Sequence, residues 1–224
     1  METRSLNEFT RFVEREIEPA IVEIGKLAEK SRKHLQKLVY TNVVDRFDSM
    51  IDQLILDNCR APELIDAAET DMKSQVTEAE LLKLLMESTN LESAIDKRLK
   101  VSIGNTILRK RHSIKLQKVF EVFQPEQRAV KHPRVNIPNG KIIEKVTPQK
   151  KLKIPYSICG YADWVYSRRN SIVHGAGSSS FLENDRKQLK KLYDREPTKT
   201  FKIGLGSIQT TSNFYKEVSR ILKQ

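Results

Sequence analysis

An all-α fold is what this sequence predicts, and three observations carry the prediction. Apolar residues recur at steps of three and four over most of the chain, the mark of helices that bury one face. Only 8 glycines and 8 prolines punctuate 224 residues, so little of the chain is committed to turns. The one clear hairpin signal, two apolar runs about Pro138-Asn139-Gly140, is short. The expectation is a helical bundle with a small inserted β-hairpin, in one domain over residues 1–224. Within it, 1–124 form the bundle core, 125–158 an inserted hairpin or mobile loop, and 159–224 a motif helix with the C-terminal elements.

Taken in order, Leu6, Phe9, Val13, Ile17, Ala20, Ile24 and Leu27 describe one amphipathic helix, or two divided at Pro19. Leu35, Leu38, Val39, Val43, Phe47, Met50 and Leu54 give the longest core helix, ending before Ala61-Pro62, with His34 on its surface. Leu64 to Ala68 reads as a short connector. Thr77 and Glu80 form a capping box for a helix that buries Leu81, Leu84 and Leu85. From Leu91 to Val119 the helical period continues, interrupted at Gly104-Asn105, while its polar positions turn strongly basic. These cations are Lys97, Arg98, Lys100, Arg109, Lys110, Arg111, Lys115 and Lys118, and they line a cleft or form a solvated outer face. His132 reads as loop surface, and Lys150, Lys151 and Lys153 lead into a helix starting near Gly160 or Tyr161. After a small-residue loop at Gly175 to Ser180, Leu182, Leu189, Leu192 and Tyr193 mark another helix. Phe201 to Leu205 alternates like a short strand, and Phe214, Val218, Ile221 and Leu222 close the bundle.

Composition narrows the function classes. No apolar run approaches the roughly 20 residues of a membrane span. Met1-Glu2-Thr3-Arg4 carries no hydrophobic signal segment, so a cytoplasmic protein with no membrane association is expected. Cys59 and Cys159 have no pairing pattern and read as reduced thiols. No glycine-rich phosphate loop, paired-carboxylate site or internal repeat is visible, and neither a metal nor a cofactor is expected. The net charge of +11 is unevenly placed. Residues 1–96 hold 12 Lys/Arg against 20 Asp/Glu, whereas 97–224 hold 28 against 9. An excess of this size in one half points to a polyanion, whether RNA, DNA or anionic lipid, or else to a solubilising surface.

The stretch with chemistry in it lies in the basic half: Arg168-Arg169-Asn170-Ser171-Ile172-Val173-His174-Gly175. On a helix Asn170 and His174, four apart, share a face, and Arg169 lies one position to the side, so the three can converge on one group. Val165, Ile172 and Val173 are expected to face inward, with Trp164 a core or dimer anchor and Gly175 the C-terminal stop. An imidazole in the last turn can take and give a proton near neutrality. A guanidinium fork can bind two phosphate oxygens and stabilise their charge. Asn170 can orient the imidazole or donate to the phosphate.

Arg169-Asn170-Ser171-Ile172-Val173-His174 resembles the signature of the HEPN family (higher eukaryotes and prokaryotes nucleotide-binding domains): Arg, a polar residue often Asn, three variable positions, then His. The resemblance implies a HEPN-like helical bundle and a homodimer with a composite active site. It also implies metal-independent endoribonuclease activity in a bacterial defence or toxin–antitoxin setting, with an antitoxin or defence-system partner. Arg169, Asn170 and His174 are the matching positions. Where family toxins often carry a Tyr soon after the His, Gly175-Ala176-Gly177-Ser178 follows here. With one site histidine per chain, a two-histidine acid–base mechanism requires a second copy. RNA is the expected partner, with Arg168, Arg109, Lys110, Arg111 and Lys115 as candidate RNA-binding residues. Two alternatives stand beside this reading: a non-catalytic nucleic-acid- or nucleotide-binding HEPN-like module, and a DNA-binding regulator, for which no motif speaks.

Overall fold

The computed structural model describes residues 2–69, 77–87, 90–126, 134–143, 154–175, 179–194 and 202–224. Helices carry most of them. The first runs from Arg4 to Phe12 (α1), widens into a π turn over Val13–Ile17, and continues from Glu18 to Gly25 (α2). Pro19 explains the π turn, because it has no N–H to donate and its ring crowds the carbonyl four residues back. The wider turn, in which the Glu18 N–H reaches back to the Val13 carbonyl, lets the chain pass Pro19 without breaking.

The helix Glu29–Asp57 (α3) is the axis of the molecule. Its Tyr40, Val43, Val44, Phe47, Ile51 and Leu54 are completely buried. Burying one side chain the size of Phe47 contributes about 2–3 kcal/mol. Pro62–Glu69 (α4), Glu78–Glu87 (α5), Leu91–Asn105 (α6) and His112–Phe123 (α7) follow. The single basic stripe expected over 91–119 is thus two helices, separated by the turn at 106–110. Asn90 caps α6 by accepting from the Ser93 N–H at 3.0 Å. Leu85, expected in the core, is 51% exposed; the side chains of Leu81 and Leu84 lie outside the described ones. His34 is on the surface as expected, while the positions assigned to His132, Lys150, Lys151 and Lys153 fall outside the described residues.

The hairpin consists of Val135–Asn136 (β1) and Lys141–Ile142 (β2), antiparallel, with Val135 opposite Ile142. Ile158–Gly175 (α8), Ser179–Tyr193 (α9) and Leu205–Leu222 (α10) complete the fold. α1, α7, α8 and α10 all pack on α3, α8 also meets α7 and α9, and the hairpin sits on α10. Phe47 of α3 stacks on Tyr215 of α10 with ring centroids 3.8 Å apart. The Tyr40 hydroxyl donates to the Val165 carbonyl at 3.0 Å, tying α3 to α8.

Three local expectations are corrected. Lys202 to Gly204 form no strand, and Leu205 opens α10 instead, because its apolar face is needed by a helix that packs along α3. Val173 is 48% exposed rather than inward, since α8 turns Val165 and Ser171 to the core. The small-residue connection is also shorter than expected: α9 already starts at Ser179, and residues 176–178 are outside the described set. Among the described residues no helix is long and apolar enough to cross a membrane.

Candidate functional site

α8 is held from one end to the other by buried groups, and this is what aims its last two turns. Gly160 donates its backbone N–H to the Ser157 hydroxyl at 3.1 Å near the helix start. Tyr161, Ala162, Trp164 and Val165 are all buried. Asp163, 1% exposed, accepts from Arg111 Nε at 2.7 Å and from the Ser113 backbone N–H at 3.2 Å. A carboxylate of α8 therefore caps the N-terminus of α7, where unpaired amides and the helix dipole favour negative charge. The Tyr193 hydroxyl approaches the same carboxylate at 3.4 Å, so α7, α8 and α9 share one anchor.

Beyond that anchor, Arg169 and Asn170 are half-buried and His174 is exposed near the C-terminal end of α8. Arg169 Nε donates to Asp45 Oδ1 of α3 at 2.6 Å, and its Nη1 donates to Asn170 Oδ1 at 3.1 Å. The guanidinium also stands over the ring of Tyr166, 5.8 Å from its centroid. Arg169 and Asn170 thus share a direct bond, with the imidazole one helical turn further on. The Arg169 side chain is 18% exposed and Asp45 is 44% exposed, so the pair lies at the surface.

The supporting cations divide sharply. Arg109 and Lys110 are exposed in the turn between α6 and α7, where a polyanion can reach them. Three others are engaged within the fold. Lys115 is 5% exposed and bonds to Asp48 at 2.7 Å and Asp52 at 2.6 Å, so it neutralises two half-buried carboxylates and offers little surface to a phosphate. Arg111 is occupied by Asp163 and Gln188. Arg168 turns away from Arg169: its Nη2 donates to the Lys202 carbonyl at 2.7 Å and the Ser207 hydroxyl at 3.2 Å. Its guanidinium lies over Tyr40 and Trp164 at 5.2 and 5.6 Å, fastening α8 to the start of α10.

The sequence reading missed a second layer beneath the site. Asp45, Asp48 and Asp52 recur along α3 at helical spacing, and each finds a cation on α7 or α8. His112 Nδ1 bonds to Asp48 at 2.7 Å, with the imidazole side chain wholly buried. Burial pushes the Asp48 carboxyl up, but the hydrogen bonds and charges of His112 and Lys115 outweigh it and hold it down to about 2. Burial leaves Asp52, whose hydrogen-bonding cation is Lys115, above its ordinary value. Lys115 is pulled down by burial and raised more strongly by its two carboxylates, ending above the ordinary lysine range. The visible signal was the set of aspartates at 45, 48 and 52 in the longest core helix, beside its apolar stripe, since charge drawn partly out of water requires a partner. Among the described residues no group of three His, Cys, Asp or Glu could hold a metal ion.

No family model, no curated protein and no solved structure matches the chain.

Proposed function

We propose that the chain is a HEPN-type endoribonuclease that cuts RNA without a metal. It acts as a homodimer whose two α8 termini face a shared cleft, in a defence or toxin–antitoxin setting with a restraining partner. His174 takes the proton of the ribose 2′-hydroxyl, and its counterpart in the second copy protonates the leaving 5′-oxygen. Arg169 stabilises the phosphorane charge. Asn170, bonded to Arg169, orients that fork. The observation that carries this reading is the surface grouping of Arg169 and Asn170, 3.1 Å apart, with the exposed His174 on the next turn of the same helix. A general base of this kind contributes about 10² to 10⁴ in rate, and a fork aimed at developing charge adds to it.

A second reading has its own observation. Arg169 is engaged by both Asp45 and Asn170, which suits a module that binds nucleic acid or nucleotide without turnover. The test is cleavage of single-stranded RNA in EDTA by wild type and by His174→Ala. The nuclease reading expects the variant to lose cleavage and keep binding. Wild-type protein that binds varied RNAs and cuts none of them supports the module.

A further inference from the structure

Behind Arg169 a tyrosine ring lies stacked on a buried imidazole. The Arg169 guanidinium lies over Tyr166, and the His112 ring stacks on that tyrosine with centroids 4.9 Å apart and planes 5° from parallel. His112 Nδ1 lies 2.7 Å from Asp48 Oδ1; a carboxylate only accepts, so Nδ1 carries the hydrogen. The other nitrogen, Nε2, is shut off from solvent with no hydrogen-bond partner among the described residues. For packing alone this is a poor choice, because a phenyl ring of similar shape leaves no polar atom unpaired. What the imidazole adds over a phenyl ring is a grip: the bond to Asp48 fixes its plane, and the stack passes that plane to Tyr166. The side chain is 0% exposed, so it cannot touch a polynucleotide.

We propose that His112 is a positioning residue for Arg169, acting through the ring of Tyr166. Asp45 holds the guanidinium at Nε, Asn170 holds it at Nη1, and the tyrosine beneath fixes the plane of the fork. The Nη2 edge is thereby presented to a phosphate in one orientation. The consequence for RNA cleavage rests on the nuclease reading above; the positioning of Arg169 does not.

The test reads the Arg169 Nε–H resonance in ¹⁵N spectra of the full chain, with folding followed by thermal melts. His112→Phe keeps a ring and loses the grip, and Tyr166→Leu loses the floor. Both are expected to broaden that resonance or move it toward the position of free arginine. Tyr166→Phe, which keeps the ring, leaves it in place, as does Val218→Ala, a core truncation on α10 outside this pair of rings. On a single-stranded RNA the same two variants are expected to lower kcat about tenfold with KM changed less than about threefold, since the orientation of the fork matters most when phosphate charge develops. An Arg169 resonance left unmoved by His112→Phe overturns the proposal, whether or not Tyr166→Leu moves it. The resonance decides it even if the wild-type chain cuts no RNA, an outcome that counts against the nuclease reading alone.

Discussion

Arg169 on α8 and Asp45 on α3 meet through a 2.6 Å hydrogen bond that joins positions 124 residues apart. The bond has two opposing effects on an anionic ligand. It fixes the fork in place, and it sets a carboxylate beside the phosphate that the fork would bind.

Asp45→Asn separates these effects. The amide oxygen can still accept from Arg169 Nε, so the fork keeps its place while the negative charge goes. Because Asp45 is 44% exposed, the stability lost is less than about 1 kcal/mol. Removing one like charge from the site is expected to tighten single-stranded RNA binding about three- to tenfold at low salt, with the gain shrinking as salt screens it. Fluorescence anisotropy at two salt concentrations measures this. Weaker binding by the variant would mean that Arg169 does not meet phosphate.

Acid titrates the layer below. The folded-state value of Asp48 is depressed to about 2, against an ordinary aspartate near 3.9. A depressed carboxyl contributes stability that is present above the unfolded value and is lost as pH falls through the folded one. The window is therefore roughly pH 4 down to 2, and the loss is about 2 kcal/mol. Asp52, raised rather than lowered, acts in the opposite sense: its contribution is present below the ordinary value and lost as pH rises through the folded one. Denaturant melts across this range are expected to show a net fall toward pH 2 that Asp48→Asn flattens. An unchanged slope in the variant would show that Asp48 is not ion-paired in solution.

The hairpin offers a test of the fold independent of the site. Gly140 has φ of 73°, the left-handed region in which a side chain is strained. A Cβ there would also fall on the Thr210 carbonyl of α10. The turn is seated by Thr210 Oγ1 donating to the Pro138 carbonyl at 3.3 Å and Asn213 Nδ2 donating to the Asn139 carbonyl at 3.2 Å. Gly140→Ala is expected to lower stability by about 2–3 kcal/mol, as strain and clash add. Thermal unfolding measures it, and a loss below about 0.5 kcal/mol would mean that the turn is not held against α10.

How much of this was legible beforehand follows from what periodicity encodes. The core positions Val43, Phe47, Met50 and Leu54, the Pro138-Asn139-Gly140 hairpin and the helix carrying the motif could be read, because each depends on neighbours within a few positions, whereas Leu38 of the same stripe is 51% exposed and Tyr40 was not foreseen in it. Which cation meets which carboxylate could not. Lys115 and Arg109 have the same formal charge in the same basic stretch, yet one is buried between two aspartates 63 or more positions away and the other is exposed. His112 was invisible for the same reason: its role depends on Asp48 and Tyr166, which only the packing of α7 against α3 and α8 brings near.

That contrast supplies the last prediction. Replacing Lys115 with Met takes from Asp48 and Asp52, 20% and 32% exposed, the cation they share, while His112 still bonds Asp48. The expected loss is about 1–2 kcal/mol of stability, because partly buried charge is left without its partner and water offsets only part of the cost. Protein that remains folded should bind RNA as tightly as wild type. Arg109→Gln with Lys110→Gln is expected to do the reverse. Exposed in the turn before α7, these side chains can be changed with little effect on the melting temperature. If both meet phosphates, the slope of log K against log salt should become shallower by roughly 1.4, about 0.7 for each phosphate of a single strand that is no longer neutralised. Isothermal titration at several salt concentrations, alongside melts, reads both variants. An unchanged salt slope in the double variant would remove this turn from the proposed RNA surface, and a stable Lys115→Met with weakened binding would return Lys115 to it.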